Sequence, residues 1–266
     1  MIRRVQRCVL SIAVLWCAHS LVYFLHEYAH STTAWLLGEM ANPLAIEYGH
    51  LTIGNALFLG QVDEGVDYDA IFARRHGPAA ALIGFAGAGI GNGPLYLLSL
   101  LSLKSAWVRS RRPLLLLSFW LCFMCVGNFY DYVPIRTFTA RGDIAHIARG
   151  LGVSPWLVLA VLGYPTAWAM WHFFARVLPR ASAVLAHGDW VGQAALSVVC
   201  AFLMFGYFGG SGLFGYGEVS QALSGISVLA VPGIAVACWP RKASPMRAPS
   251  RALAPANSGS PNARPA

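Results

Sequence analysis

Six runs of apolar residues, each long enough to cross a hydrocarbon core of roughly 30 Å, recur along this 266-residue chain. At about 20 residues per crossing they extend from Val9 to Leu37, Pro78 to Leu103, Pro113 to about Tyr130, Pro155 to Leu178, Trp190 to Phe208 and Val219 to Trp239. Composition agrees: 57% of residues are hydrophobic and 11% charged, where a soluble domain carries about a quarter charged residues. An ordinary soluble protein is excluded. The expected fold is an all-α polytopic membrane protein of about six transmembrane helices. Arg3, Arg4 and Arg7 precede the first run, and Ala18-His19-Ser20 has the small-residue look of a leader cleavage site. Apolar sequence continues well beyond Ser20, so the run is read as a span.

The net charge of +8 would raise the question of nucleic acid in a soluble chain, but the basic residues sit between and beyond the apolar runs. No nucleic-acid partner is expected, and the bilayer is the partner instead. With the N-terminus in the cytoplasm, Arg3, Arg4, Arg7, Lys104, Arg109, Arg111, Arg112, Arg176, Arg180 and five tail residues fall on that side, fourteen of the nineteen Lys and Arg. Both termini are therefore expected in the cytoplasm of a cell (inner) membrane, following the positive-inside rule.

Between the first two runs, residues 43–60 alternate apolar and polar positions around Gly49-His50 and Gly54-Asn55, which predicts a small β-hairpin at the membrane surface. Residues 1–240 form the membrane domain on this reading. Residues 241–266, rich in Pro, Ala, Ser and Arg without an acidic residue, form a disordered tail. Glycines at 84, 87, 89, 91 and 93 read as a face for close helix packing. Cys122-Phe-Met-Cys125 lies in an apolar run and reads as core, since a reactive thiolate needs polar surroundings.

Chemistry enters with His26-Glu27-Tyr28-Ala29-His30 inside the first run. Residues four apart share a helix face, so both imidazoles can reach one Zn²⁺, with Glu27 as general base toward a metal-held water. A carboxylate at the bilayer centre costs roughly 2.5–3.5 kcal/mol, so ionisable groups there are functional by default. A catalytic zinc needs a third protein ligand. Asp131 and Asp143 both lie at or beyond the end of the third run, on the side approached by His26 and His30. Asp143 follows Gly142 and begins a stretch in which Ile144, Ile147 and Leu151 recur at helical spacing, which puts its carboxylate at a helix N-terminus. His19 reads either as a packed side chain or as a group that orients the ligands, and His146, three residues after Asp143, either as a group that orients that ligand or as a helix cap. Arg136 and Arg141 flank the aspartates as possible ion-pair partners.

The chain resembles the site-2 protease family of intramembrane zinc metallopeptidases over roughly residues 14 to 152. The resemblance rests on HEYAH within a membrane helix, on His76-Gly77-Pro78 opening the next helix, and on Asp143-Ile-Ala-His146-Ile147. That last stretch is similar to the family's Asp-Gly-Gly-His-Ile, with Asn128 and Pro134 upstream. Ile144 and Ala145 stand where the family has two glycines. The resemblance implies a zinc metalloendopeptidase that cuts membrane-embedded or membrane-proximal protein substrates. His26, His30 and Asp143 would be the metal ligands, with Asp131 the alternative third, and Glu27 the catalytic base. Two other readings are a non-proteolytic metal-binding membrane protein of transport or assembly, and a membrane hydrolase acting on lipid or another amide.

Overall fold

The computed structural model describes residues 2–240, with side chains from residue 9 onward; residues 241–266, read above as a disordered tail, lie outside the described residues. The chain is an all-α polytopic membrane protein. Six helices are long and apolar enough to cross a membrane: Val9–Leu36, Gly77–Lys104, Arg112–Ile135, Pro155–Leu185, Trp190–Leu213 and Glu218–Ala237. They are called spans one to six below. Their starts follow from local chemistry. Proline occupies the first turn at Gly77, Arg112 and Pro155, where a missing N–H costs nothing. Ser154 accepts a hydrogen bond from Trp156 N, and Asp189 accepts from Val191 N and Gly192 N.

Span three is the central helix. Phe119, Phe123, Cys122 and Cys125 are fully enclosed there by Phe173 of span four and Cys200 and Met204 of span five. The Cys122 and Cys125 thiols are free and buried in this apolar core, as their sequence context predicts. Four spans switch locally to π-helix: two through Ala86–Asn92, three through Asp131–Ile135, four through Phe173–Val177 and five through Phe202–Phe208. Such bulges loosen the regular backbone pairing and re-aim side chains, and the first two flank the polar cluster described below.

The segment joining spans one and two departs from expectation. Among the described residues it contains no strand. Its two arms meet at one antiparallel bridge, Glu47 with Asp63, and between them the chain forms the helix Ile53–Phe58. Thr52 caps that helix by accepting from Asn55 N, and Leu59 ends it in the left-handed conformation at φ 56°. The expected hairpin fails because the polar groups of Asn55 are consumed locally: its amide donates to the Tyr48 and His50 carbonyls and its oxygen accepts from Gln61 N.

Nor does the segment stay at the surface. It lies back along span one, where Tyr28 and Tyr48 hydroxyls meet at 2.8 Å, Trp16 Nε1 donates to the Ala56 carbonyl at 3.1 Å, and His19 lies 3.3 Å from the Phe58 carbonyl. From Tyr28 to Trp16 is about 18 Å of helix at 1.5 Å per residue, so the segment is re-entrant. Ile46, Leu59 and Val62 are buried against Tyr23, Phe24 and Tyr28, while Leu51 and Ile53 stay exposed. His19 is thereby committed to this packing, with Tyr23 and Tyr207 against its ring and two helical turns separating it from His26.

Beyond span three, Gly142 at φ 113° turns the chain into the helix Asp143–Leu151. This helix crosses the start of span two at glycines on both sides. A Cβ on Gly77 would lie 2.6 Å from the Gly150 carbonyl oxygen, and one on Gly150 would lie 2.3 Å from that of Gly77. The crossing presses the Asp143 end of the helix toward span one.

Candidate metal centre

His26 and His30 project from one face of span one and are almost wholly buried, as the i, i+4 spacing requires. Asp143 arrives from the helix after span three. His26 Nε2 lies 2.9 Å from Asp143 Oδ2, His30 Nε2 lies 3.2 Å from the same oxygen, and the two Nε2 atoms are 3.0 Å apart. A zinc ion with ligand distances of about 2.0–2.1 Å sets the edges of its tetrahedron at roughly 3.3–3.4 Å. The three separations fall short of that by a few tenths of an ångström. The donor set thus fits a zinc ion: two imidazole nitrogens and one carboxylate oxygen on three corners. Among the described residues this is the group of three such side chains that can converge on one ion.

Both histidines are held from behind. The Nδ1–H of His30 donates to the Ile83 carbonyl at 2.6 Å, near the point where span two passes from α to π. That bond fixes the tautomer and turns the Nε2 lone pair into the cluster. On the other side, His26 Nδ1 lies 3.3 Å from the Asn92 amide, which in turn meets Asn128 at 2.8 Å. The Asn92 oxygen is buried without a partner. With Nε2 facing a cation, His26 Nδ1 carries the proton and requires an acceptor, so the Asn92 carboxamide serves His26 when its oxygen faces the ring, with the Asn128 amide turned to donate to that same oxygen. The two ends of a carboxamide are alike in shape, and the hydrogen-bond network decides between them.

Gly87 closes the floor of the site. A Cβ there would stand 2.3 Å from His30 Nε2 and 2.4 Å from His26 Nε2. The glycine stripe read as a packing face therefore has one member that packs directly against the histidine pair. Gly91 packs as expected, since its Cβ would meet the Leu25 carbonyl oxygen at 2.8 Å.

Burial works against the charge on Asp143, but His30 and His26 outweigh it and hold the carboxyl well below the usual carboxylate range. Asp131, the alternative third ligand, lies outside the cluster. Its Oδ2 pairs with Arg136 at 2.8 Å and its Oδ1 accepts from the Ser211 hydroxyl. The reason is local: the π-helical turn that contains Pro134 places Arg136 beside Asp131. Arg136 also lies over the Tyr132 ring at 4.7 Å, and Tyr132 lies over His26 at 4.4 Å between centroids. Asp131 therefore touches the cluster only through this chain of contacts. Arg141 is exposed and forms no ion pair among the described residues.

Glu27 is buried beside the cluster, with His30 and Asp143 among the charges acting on it. A residue that the motif alone does not reveal meets it there. Glu64, on the returning arm of the re-entrant segment, brings its half-buried carboxyl against that of Glu27. Burial pushes the Glu64 carboxyl up. Tyr68, four residues on, stacks on His146 with centroids 3.6 Å apart, and its hydroxyl is buried without a partner. His146 accordingly neither orients a ligand nor caps its helix, and burial pushes its imidazole down to about 4. The only sequence signal for Glu64 was an acidic residue close to the motif in a loop of otherwise ordinary composition.

Comparison with family models, with curated proteins and with solved structures finds no match to this chain.

Proposed function

We propose that this protein is an integral membrane zinc metalloendopeptidase, similar to the site-2 protease family, that hydrolyses peptide bonds in or near the membrane. The observation that carries the reading is the convergence of His26, His30 and Asp143, from helices 117 residues apart in sequence, with their ligand atoms within 4.8 Å of one another and with Glu27 beside them. A buried structural ion pair has no use for a second histidine and an adjacent carboxyl; a hydrolytic centre uses all four groups.

Zinc held there supplies Lewis acidity and activates water for attack on a carbonyl. The chain supplies the rest. His26, His30 and Asp143 bind, with His30 locked by Ile83 and His26 backed by Asn92. Glu27 takes a proton from the attacking water and delivers it to the departing amine. A helical substrate must unwind locally to be cut, because its carbonyls are already hydrogen-bonded along the helix. The enclosing spans and the re-entrant segment keep bulk water from the site, which strengthens every charge interaction within it.

The proposed setting is a cell (inner) membrane with both termini cytoplasmic and the cluster toward the opposite face. Lys104, Arg109, Arg111, Arg112, Arg176 and Arg180 lie at the end of the bundle remote from the cluster, in line with the positive-inside rule. Single cysteines introduced at Gly65 and Asn257 test this: a membrane-impermeant thiol reagent reacts with the first from outside and not the second, and the reverse pattern inverts the topology.

The activity is tested on purified protein by zinc content and by cleavage of a panel of transmembrane peptides. About one zinc per chain is expected, lost in the His26→Ala, His30→Ala double variant. Stoichiometric zinc in that variant overturns the ligand assignment, and zinc without cleavage of any peptide overturns the protease reading.

A further inference from the structure

Glu64 leads the chain from the re-entrant segment into the short helix Tyr68–Ala73, which Asp67 caps by accepting from Ala70 N. Two ring contacts fasten this helix to Asp143–Leu151: Tyr68 stacks on His146 at 3.6 Å, and the Arg149 guanidinium lies over Phe72 at 3.8 Å. Tyr68 also belongs to a buried cluster with Ala34, Ile71, Ala80 and Ile83. These surroundings adjoin the metal ligands. Ala34 is one turn beyond His30, Ile83 carries the carbonyl that holds the His30 ring, and His146 follows Asp143 by three residues. Tyr68 is 8% exposed, and its hydroxyl has no hydrogen-bond partner among the described residues.

A buried O–H left unpaired costs about 1–3 kcal/mol, and a phenylalanine would fill the same space without that cost. The carboxyls that act on this hydroxyl are those of Glu64, Asp143 and Glu27, all three at the cluster. Each is an acceptor when ionised, and water adding to a peptide carbonyl creates one more negative oxygen in their midst. That oxygen requires a donor. Other donors around the cluster are spent: Arg136 on Asp131, and the Asn92 and Asn128 amides on each other and on His26. The Tyr68 hydroxyl is uncommitted.

We infer that Tyr68 is a catalytic donor of this site, its hydroxyl hydrogen-bonding the substrate carbonyl oxygen as that oxygen gains negative charge. The inference rests on the peptidase reading above. The oxygen of water bonds to the carbonyl carbon, the π pair moves onto the carbonyl oxygen, and Glu27 takes the proton that water loses. When the C–N bond breaks, that pair returns to restore the carbonyl, and the proton passes from Glu27 to the departing amine. Tyr68 keeps its own proton throughout. Its bond is stronger to the charged oxygen than to the neutral carbonyl, and that difference lowers the barrier. His146 is a positioning residue, since its ring fixes the plane of the Tyr68 ring.

Tyr68→Phe in the full-length protein keeps the ring and its stack on His146 and removes only the donor. Loss of one such donor costs about 10²–10³ in kcat, so turnover of the best-cleaved transmembrane peptide should fall roughly 100-fold, with KM within about threefold of wild type. Two readouts are independent of turnover. Affinity for a phosphinic peptide, whose tetrahedral phosphorus carries a charged oxygen where the substrate has its carbonyl, should fall by the same factor while zinc content holds. The metal-free variant should melt no lower than the metal-free wild type, because an orphaned hydroxyl adds nothing to stability. A kcat or phosphinic affinity within about threefold of wild type overturns the inference and leaves the peptidase reading standing. Lost zinc or a lower melting temperature does the same, by making the hydroxyl structural. If the wild type neither cleaves a peptide nor binds the phosphinic peptide, the reading falls and the inference with it; if it binds without cleaving, the ratio of phosphinic affinities alone decides on Tyr68.

Discussion

Replacing Gly87 by Ala tests whether the histidine pair is built as a ligand pair or merely packed. The added methyl would stand 2.3 Å from His30 Nε2, 2.4 Å from His26 Nε2 and 2.5 Å from His26 Cε1. Ordinary contact needs about 3.4 Å, so something must retreat by roughly 1 Å. The His30 ring is tied at Nδ1 to Ile83, and the His26 ring lies between Asn92 and Tyr132, so neither can swing aside alone. Metal–ligand distances tolerate only about ±0.2 Å, so a displacement five times larger removes the site. Loss of an outer contact to a ligand already costs about 10–100-fold in metal affinity, and direct displacement of two ligands should exceed 100-fold. The assay is competitive zinc titration against a chromophoric chelator on monodisperse protein, beside Gly233→Ala. At Gly233 an added Cβ meets nothing within 4 Å, so that variant should keep its zinc. If Gly87→Ala binds zinc with wild-type affinity, the two Nε2 atoms are not the metal-facing atoms and the assignment falls.

Glu27→Gln should retain zinc and lose hydrolysis, because an amide keeps the shape but cannot take a proton from water; undiminished turnover would remove Glu27 from the mechanism. Asp143→Asn should cost most of the zinc affinity, whereas Asp131→Asn should keep the metal and lower activity roughly 10- to 100-fold by loosening Arg136, Tyr132 and hence His26. Zinc lost from the Asp131 variant and kept in the Asp143 variant would exchange the two roles. Asn92→Asp, which keeps an acceptor toward His26, should hold zinc better than the near-isosteric Asn92→Leu, and equal affinity in the two would show that His26 needs no partner at Nδ1.

Fold class was legible because a bilayer leaves so few solutions. All six spans appear where apolar runs of about 20 residues stand, with ends displaced by a few residues. Span four shows why the ends were harder. Apolar character ends near Leu178, but the helix continues to Leu185 through a π turn at Phe173–Val177 and the amphipathic Leu178–Leu185, which no longer needs lipid. The re-entrant segment departs from the hairpin its pattern predicts for a related reason. Alternation around 43–60 is the pattern of a half-buried strand, but here it records one face turned to span one and another left exposed, a division that a short helix and two extended arms satisfy equally well.

The site divides in the same way. His26, Glu27 and His30 were legible because helix geometry converts a four-residue spacing into a shared face, and no tertiary knowledge is required. Asp143 needed one more inference, that a carboxylate after glycine and ahead of Ile144 and Ile147 begins a helix. Gly87, Asn92, Tyr132 and Glu64 carry no such spacing. They reach the histidines from span two, span three and the re-entrant segment, at separations from the motif that the fold alone determines. What the sequence could have offered for them is a cost argument. Asn92 and Asn128 are polar groups inside apolar helices, buried at 0% and 5% exposure, and such groups persist where a partner repays their desolvation. Their mutual hydrogen bond, Asn92 Nδ2 donating to Asn128 Oδ1 at 2.8 Å, accounts for part of that cost, and the same amide nitrogen lies 3.3 Å from His26 Nδ1. Turning the Asn92 carboxamide so that its oxygen meets a protonated His26 Nδ1 requires Asn128 to turn with it and donate its own amide to that oxygen. The polarity buried in spans two and three is thus a paired relay that can follow the tautomer of His26.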